Sequence, residues 1–260
     1  MNRKEFWYLF TIVFATAILS ACSKENPSKQ SVVTTKPDTT NSGGNKPDTI
    51  YDGKPTNDTV NIILNGLLPA TCGMLAQVNS GVNARNTATF PGTGVKDSTV
   101  VEASVQNILP IFSYTSNWEY SFVRVNTPTN TVLTWTYNFV GAGNYDDNVS
   151  YSSSFIDTGK FTITDGIYID TLIFNIKYNR SEKLAPLSKA STLSDQLGFQ
   201  TSNLVVNKQT GEVISGTCSV NLALTSGQSQ TFSLSGSVTF QGNRKGVLVL
   251  NKGATYYFKW

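Results

Sequence analysis

Histidine is absent from the 260 residues of this chain, and that gap removes more chemistry than any single residue adds. A Ser-His-Asp or Cys-His nucleophile needs an imidazole to take the proton, and most zinc and iron sites use one as a ligand. Both classes are excluded. Charge is also scarce: Asp, Glu, Lys and Arg make up 14% of the chain and the net charge is +3, which is no basic footprint for nucleic acid. Asp146-Asp147-Asn148 offers side-chain oxygens to a cation, but the distal glutamate of a full calcium loop is missing, so the triplet reads as turn polarity. No metal, no cofactor and no nucleic-acid partner are expected. Cysteines number three, at positions 22, 72 and 218.

The N-terminus is the most informative stretch. Arg3 and Lys4 precede an apolar run from Phe6 to Leu19, the layout of a secretory signal peptide, and the run is shorter than the roughly 20 residues that a membrane-spanning helix requires. It ends in Leu19-Ser20-Ala21-Cys22. This tetrapeptide resembles the lipobox of bacterial lipoproteins. The resemblance implies that residues 1–21 are cut away and that Cys22 becomes the acylated first residue, with a membrane anchor as its partner. Ser23 stands where an inner-membrane retention aspartate would be, which points to the outer membrane. Lys24-Glu25 looks like part of the export signal of Bacteroidota surface lipoproteins, with Asn26 where a second acidic residue would stand. Periplasmic and surface-facing placement both stay open.

Residues 22–57 read as a tether. Pro27, Pro37, Pro47 and Pro55, Gly43-Gly44 and a lack of large apolar residues before Ile50 leave nothing with which to bury a core. Lys36-Pro37-Asp38-Thr39 recurs as Lys46-Pro47-Asp48-Thr49. Together with Asp58-Thr59-Val60, these triplets resemble the O-glycosylation sequon of Bacteroidota envelope proteins, which implies Thr39, Thr49 and Thr59 as acceptors; the alternative is a plain solvated linker.

Residues 58–260 form a single domain in which apolar residues recur every second position. Cys218, Val220, Leu222 and Leu224 alternate with polar residues, as do Phe232, Leu234, Val238 and Phe240. Turn signals recur at Asp165-Gly166, Lys208-Gln209-Thr210-Gly211, Ser226-Gly227-Gln228, Gly242-Asn243-Arg244-Lys245 and Asn251-Lys252-Gly253. Only Ser191 to Leu197 reads as a short helix. The expected fold is all-β: an antiparallel meander of about nine to twelve strands, forming a β-sandwich or a closed or half-open barrel. The terminal Tyr256, Phe258 and Trp260 resemble the aromatic-ended last strand of outer-membrane barrels, a weaker alternative. With Cys22 lipidated, Cys72 and Cys218 are left as a candidate disulfide, the alternative being two buried thiols.

One hairpin yields its register. If Thr127-Pro128-Thr129-Asn130 is a four-residue loop, Asn126 faces Thr131, Phe122 faces Trp135, Tyr120 faces Tyr137 and Trp118 faces Phe139. Six aromatic rings then share one side of two strands, either as the core face of the sheet or as a strip for a glycan or apolar ligand.

Carboxylate chemistry survives the lack of histidine. Asp157-Thr158-Gly159 after Phe155-Ile156 matches the local aspartic-protease pattern, but the chain has no second such triplet to share a proton with the first, and a hairpin turn is the expected setting. Glu102 and Glu119 would serve a glycosidase if the fold brought them within about 5 to 10 Å. The reading that follows is a lipid-anchored cell-envelope protein with a non-catalytic binding or structural β domain. A carrier of apolar ligands and a carboxylate glycoside hydrolase are the alternatives.

Overall fold

In a computed structural model, which describes residues 57–87, 94–102, 111–126, 131–146, 151–165, 170–186, 192–227, 231–251 and 253–260, two helices are followed by ten strands. Helix α1 spans Asn57–Leu67 and α2 spans Met74–Thr87, with a single 3-10 turn, Pro69–Thr71, between them. The strands are β1 (Gly94–Glu102), β2 (Ile111–Asn126), β3 (Thr131–Asp146), β4 (Tyr151–Asp165), β5 (Thr171–Pro186), β6 (Leu193–Asn207), β7 (Val213–Ser226), β8 (Thr231–Gly242), β9 (Lys245–Leu250) and β10 (Thr255–Lys259). Each pairs antiparallel with its sequence neighbours in one ten-stranded sheet of order β1 to β10. This is the all-β meander in its half-open form. The sheet does not close, and β1 and β10 are its two edges.

Period-two alternation gives the sheet one dry face and one wet face. On the dry face Phe161, Phe174, Tyr178, Phe199, Val220, Val238 and Leu248 are buried together with Val60, Ile63, Leu67, Met74 and Val78 of the helices. The helices therefore fill the inside of the curled sheet. Two helices were not expected in residues 57–87, although Val60, Ile63, Leu64 and Leu67 have the i, i+3, i+4, i+7 spacing of an amphipathic helix. Conversely, the expected helix from Ser191 to Leu197 is replaced by strand: β6 begins at Leu193, and Asp195 and Leu197 point inward on alternate positions. The period switches twice. Asn203, at φ 59°, makes a bulge against β5, and Gly216, at φ 136°, makes another in β7. The inward set thereby moves from odd to even positions in both strands, from Thr201 to Leu204 and from Val213 to Cys218.

The corner between the helices is tightly closed. Cys72 adopts φ 50° and its N–H bonds the Pro69 carbonyl, while the Gly73 N–H bonds the Leu68 carbonyl. A Cβ on Gly73 would lie 2.6 Å from the Gly66 carbonyl oxygen, which is backbone and cannot rotate away. Gly73→Ala should therefore destabilise the domain by about 1–3 kcal/mol, measured by urea unfolding; an unchanged midpoint would refute the close approach.

Candidate functional site

The expected aromatic hairpin forms with the register given above, from Asn126 opposite Thr131 to Trp118 opposite Phe139. Trp118, Trp135, Tyr137 and Phe139 are buried in the core. Tyr120 and Phe122 hold the expected backbone positions, and their side chains lie outside the described residues. Trp118 stacks on Phe139 with centroids 4.9 Å apart and meets Phe161 edge-on at 5.9 Å. These four rings are part of the packed interior.

Several other expectations are corrected. Glu102 faces Phe112 across β1 and β2 whereas Glu119 faces Val95, seven residues along the same strand pair and so about 23 Å away. Thr59 is only 2% exposed inside α1, which hides its hydroxyl from a glycosyltransferase. Thr39, Thr49 and Cys22 lie outside the described residues. Cys72 and Cys218 are not bonded to each other. Cys218 is a free buried thiol on β7, opposite Thr201 and Val238, and burial pushes its pKa up to about 12. Cys72 packs elsewhere, against Tyr114 and Phe155.

Asp157 is in the middle of β4 rather than in a turn, and it faces inward. Its register partner on β5 is Arg180. Nε of Arg180 donates to Oδ1 of Asp157 at 2.8 Å and Nη2 donates to Oδ2 at 2.9 Å, a bidentate pair. The guanidinium continues into the helical corner, where Nη1 reaches the Asn65 carbonyl at 3.1 Å and Nη2 the Thr71 carbonyl at 3.0 Å. It also lies 4.0 Å from the centroid of the Phe155 ring. Gln77 of α2 donates to the Cys72 carbonyl at 3.0 Å and to the Tyr114 hydroxyl at 3.1 Å. Burial and the neighbouring Asp157 raise the pKa of the Tyr114 phenol above its usual range. Room for these rings comes from strand glycines: a Cβ on Gly141 would collide with Tyr114, one on Gly143 with Phe155 and one on Gly159 with Phe139.

One register step toward the rim, Phe155, Glu182, Asp195 and Leu224 form a row across β4 to β7. Glu182 and Asp195 are thus cross-strand neighbours, with Cβ atoms about 5 Å apart. Burial is the main cause raising both pKa values; beside Glu182, that of Asp195 reaches about 8, while Arg180 opposes both shifts. Both carboxylate oxygens of Asp195 are buried without a hydrogen-bond partner among the described residues. The next row, Ser153, Leu184, Leu193 and Ser226, separates the pair from an open cleft of about 670 Å³ at the strand ends.

The pH dependence follows in sign. Asp195 binds its proton more tightly folded than unfolded, so its contribution favours folding at acid pH and is lost as pH rises from about 4 to about 8. Since each pKa unit corresponds to at most about 1.4 kcal/mol, stability should fall by about 1–2 kcal/mol between pH 6 and pH 8. Asp195→Asn should flatten that slope in denaturant titrations; an unaltered slope would show that Asp195 does not titrate in the interior.

Sequence reasoning missed this cluster. Its signal was available as charge on the apolar face: Asp157 has the parity of Phe155 and Phe161, and Arg180 and Glu182 have that of Tyr178 and Leu184. Chemically the array is a lock. Arg180 joins the sheet to the corner between α1 and α2, its partners are other protein groups, and the low-pKa thiolate of a cysteine nucleophile is not found at Cys218. No protein-family model, no curated protein and no solved structure matches the chain.

Proposed function

We propose that this chain is a lipid-anchored cell-envelope protein whose β domain works by binding rather than by catalysis. The observation that carries the reading is Leu19-Ser20-Ala21-Cys22 at the end of a short apolar run behind Arg3 and Lys4, followed by a proline-rich tether that gives the domain reach from a membrane surface. The geometry supports the binding half. Arg180 and Asp157 are engaged in joining helices to sheet, the described rings of the aromatic strip are in the core, and the solvent face is rich in Ser, Thr, Asn, Gln and Lys.

Cysteine chemistry gives a sharp test. An acylated Cys22 sulfur is a thioether that ties the chain to lipid. Mature protein from envelopes should therefore partition with membranes. Cys22→Ala should block lipid labelling and leave the precursor uncleaved. A soluble protein cleaved elsewhere would overturn the anchor.

A further inference from the structure

The wet face contains a glycine that the fold does not require. Gly198 lies in the middle of β6, where glycine weakens a strand relative to alanine. Gly141, Gly143, Gly159, Gly236 and Gly246 are each filled against by a neighbour within 3.0 Å of where a Cβ would be. At Gly198 the nearest atoms would be the Asn179 Oδ1 at 3.4 Å and the Asn221 carbonyl at 3.9 Å, which is ordinary contact, and its φ is not in the left-handed region. Neither packing nor backbone conformation explains it.

Its surroundings do. Across the sheet Gly198 is flanked by Asn179 on β5 and Asn221 on β7, and along its own strand by Gln196 and Gln200 on the same face. Four exposed side-chain amides thus surround one bare stretch of backbone. Ser235 extends the row onto β8, and Lys177 is the charged side chain of the surround. The missing side chain is the floor of an open groove of about 600 Å³.

We propose that this groove binds a neutral oligosaccharide, which deepens the binding function proposed above. Strand spacing places the Asn pair about 10 Å apart and the Gln pair about 13 Å apart, a frame that admits one pyranose ring over Gly198 and lets a chain continue at either side. Each amide carries a donor and an acceptor, the combination that vicinal hydroxyls need, although the Gln196 Oε1 already accepts from the Ser181 hydroxyl at 2.9 Å; the bare backbone lets the ring approach the sheet. With a single lysine in the surround, the groove offers little to a polyanion. With no aromatic side chain of the wet face around Gly198, recognition is by hydrogen bonds rather than stacking.

The test uses the full mature chain in detergent. Its mobility is measured in native gels containing soluble starch, a β-glucan, a mannan or a xylan, with calorimetry on the matching hexasaccharides. At least one polysaccharide should retard it. Gly198→Leu should weaken that binding at least tenfold without lowering the melting temperature, and Asn179→Ala and Asn221→Ala should each weaken it severalfold. Gly198→Ala, which adds one methyl in ordinary contact with the Asn179 side chain, should retain the fold and bind more weakly than wild type. No retardation by any of the four, or binding untouched by both glycine variants, would overturn the site. Because no membrane is involved, such a failure is distinguishable from a failure of the anchor.

Discussion

Asp157→Ala should cost about 3–5 kcal/mol of stability, because it leaves the Arg180 guanidinium buried without its bidentate partner. Arg180 is 1% exposed. Burial alone would lower its pKa, yet Asp157, with Tyr178 and Glu182, holds it well above the usual value, so the cation is retained and its isolation is costly. The converse change, Arg180→Met, removes the charge but strands more groups. The Asn65 and Thr71 carbonyls lose a donor and Asp157 becomes the unpaired ion. Replacing both residues, Asp157→Leu with Arg180→Met, should recover only part of the loss, since the Asn65 and Thr71 carbonyls each lose the Arg180 donor, the Asn65 carbonyl retaining the Thr71 hydroxyl. Urea unfolding of the two single variants and the double gives the coupling energy directly. The damage should also be local first: hydrogen exchange in α1 and the 3-10 turn should accelerate more than in β8 and β9, because Arg180 is what fastens the corner to the sheet. A single-variant loss below about 1 kcal/mol, or uniform exchange, would show that helix burial alone holds the corner.

Legibility from sequence divided along physical lines. The β2–β3 hairpin could be registered residue by residue because a proline turn sets one pairing and a two-residue repeat propagates it. The hairpin turns at Lys208 to Gly211 and at Gly242 to Lys245 were equally local. Ser191 to Leu197 misled because a run of serine, threonine and aspartate before leucines imitates a capped helix, whereas pairing with both β5 and β7 outweighs that weak propensity. Helix α1 carried its own signal in Val60, Ile63, Leu64 and Leu67, obscured by the polar tether beside it. The lock was less accessible. That Arg180 faces Asp157 depends on a β4–β5 register that the Asp165-Gly166 signal does not set, since Asp165 pairs with Leu172, and that Glu182 faces Asp195 depends on a β5–β6 connection without a turn signal. A charged residue on an apolar face was visible, but its partner was not. The groove at Gly198 was equally hidden, since the four amides come from three strands and meet only in register.

Trp118→Ala is expected to destabilise by about 3–5 kcal/mol, a large share of the roughly 5–15 kcal/mol that holds a domain together. The indole is 5% exposed. It stacks on Phe139, meets Tyr137 and Phe161 edge-on at 5.9 Å each, and donates from Nε1 to the Ser116 hydroxyl at 3.2 Å. Alanine would leave a cavity walled by three rings that are themselves held by the glycine-lined strands, so collapse would be limited and the cavity cost high. Trp118→Phe, which retains a ring and loses the hydrogen bond, should cost clearly less. The pair of variants separates a packed interior from a ligand-stacking strip. In the interior, the alanine variant loses stability in unfolding titrations and the near-ultraviolet dichroism of the aromatic cluster changes with it. On a stacking strip the melting temperature would stay within a degree or two of wild type, and that result would reverse the assignment of the two faces of the sheet, taking with it the placement of the Gly198 groove on the solvent side.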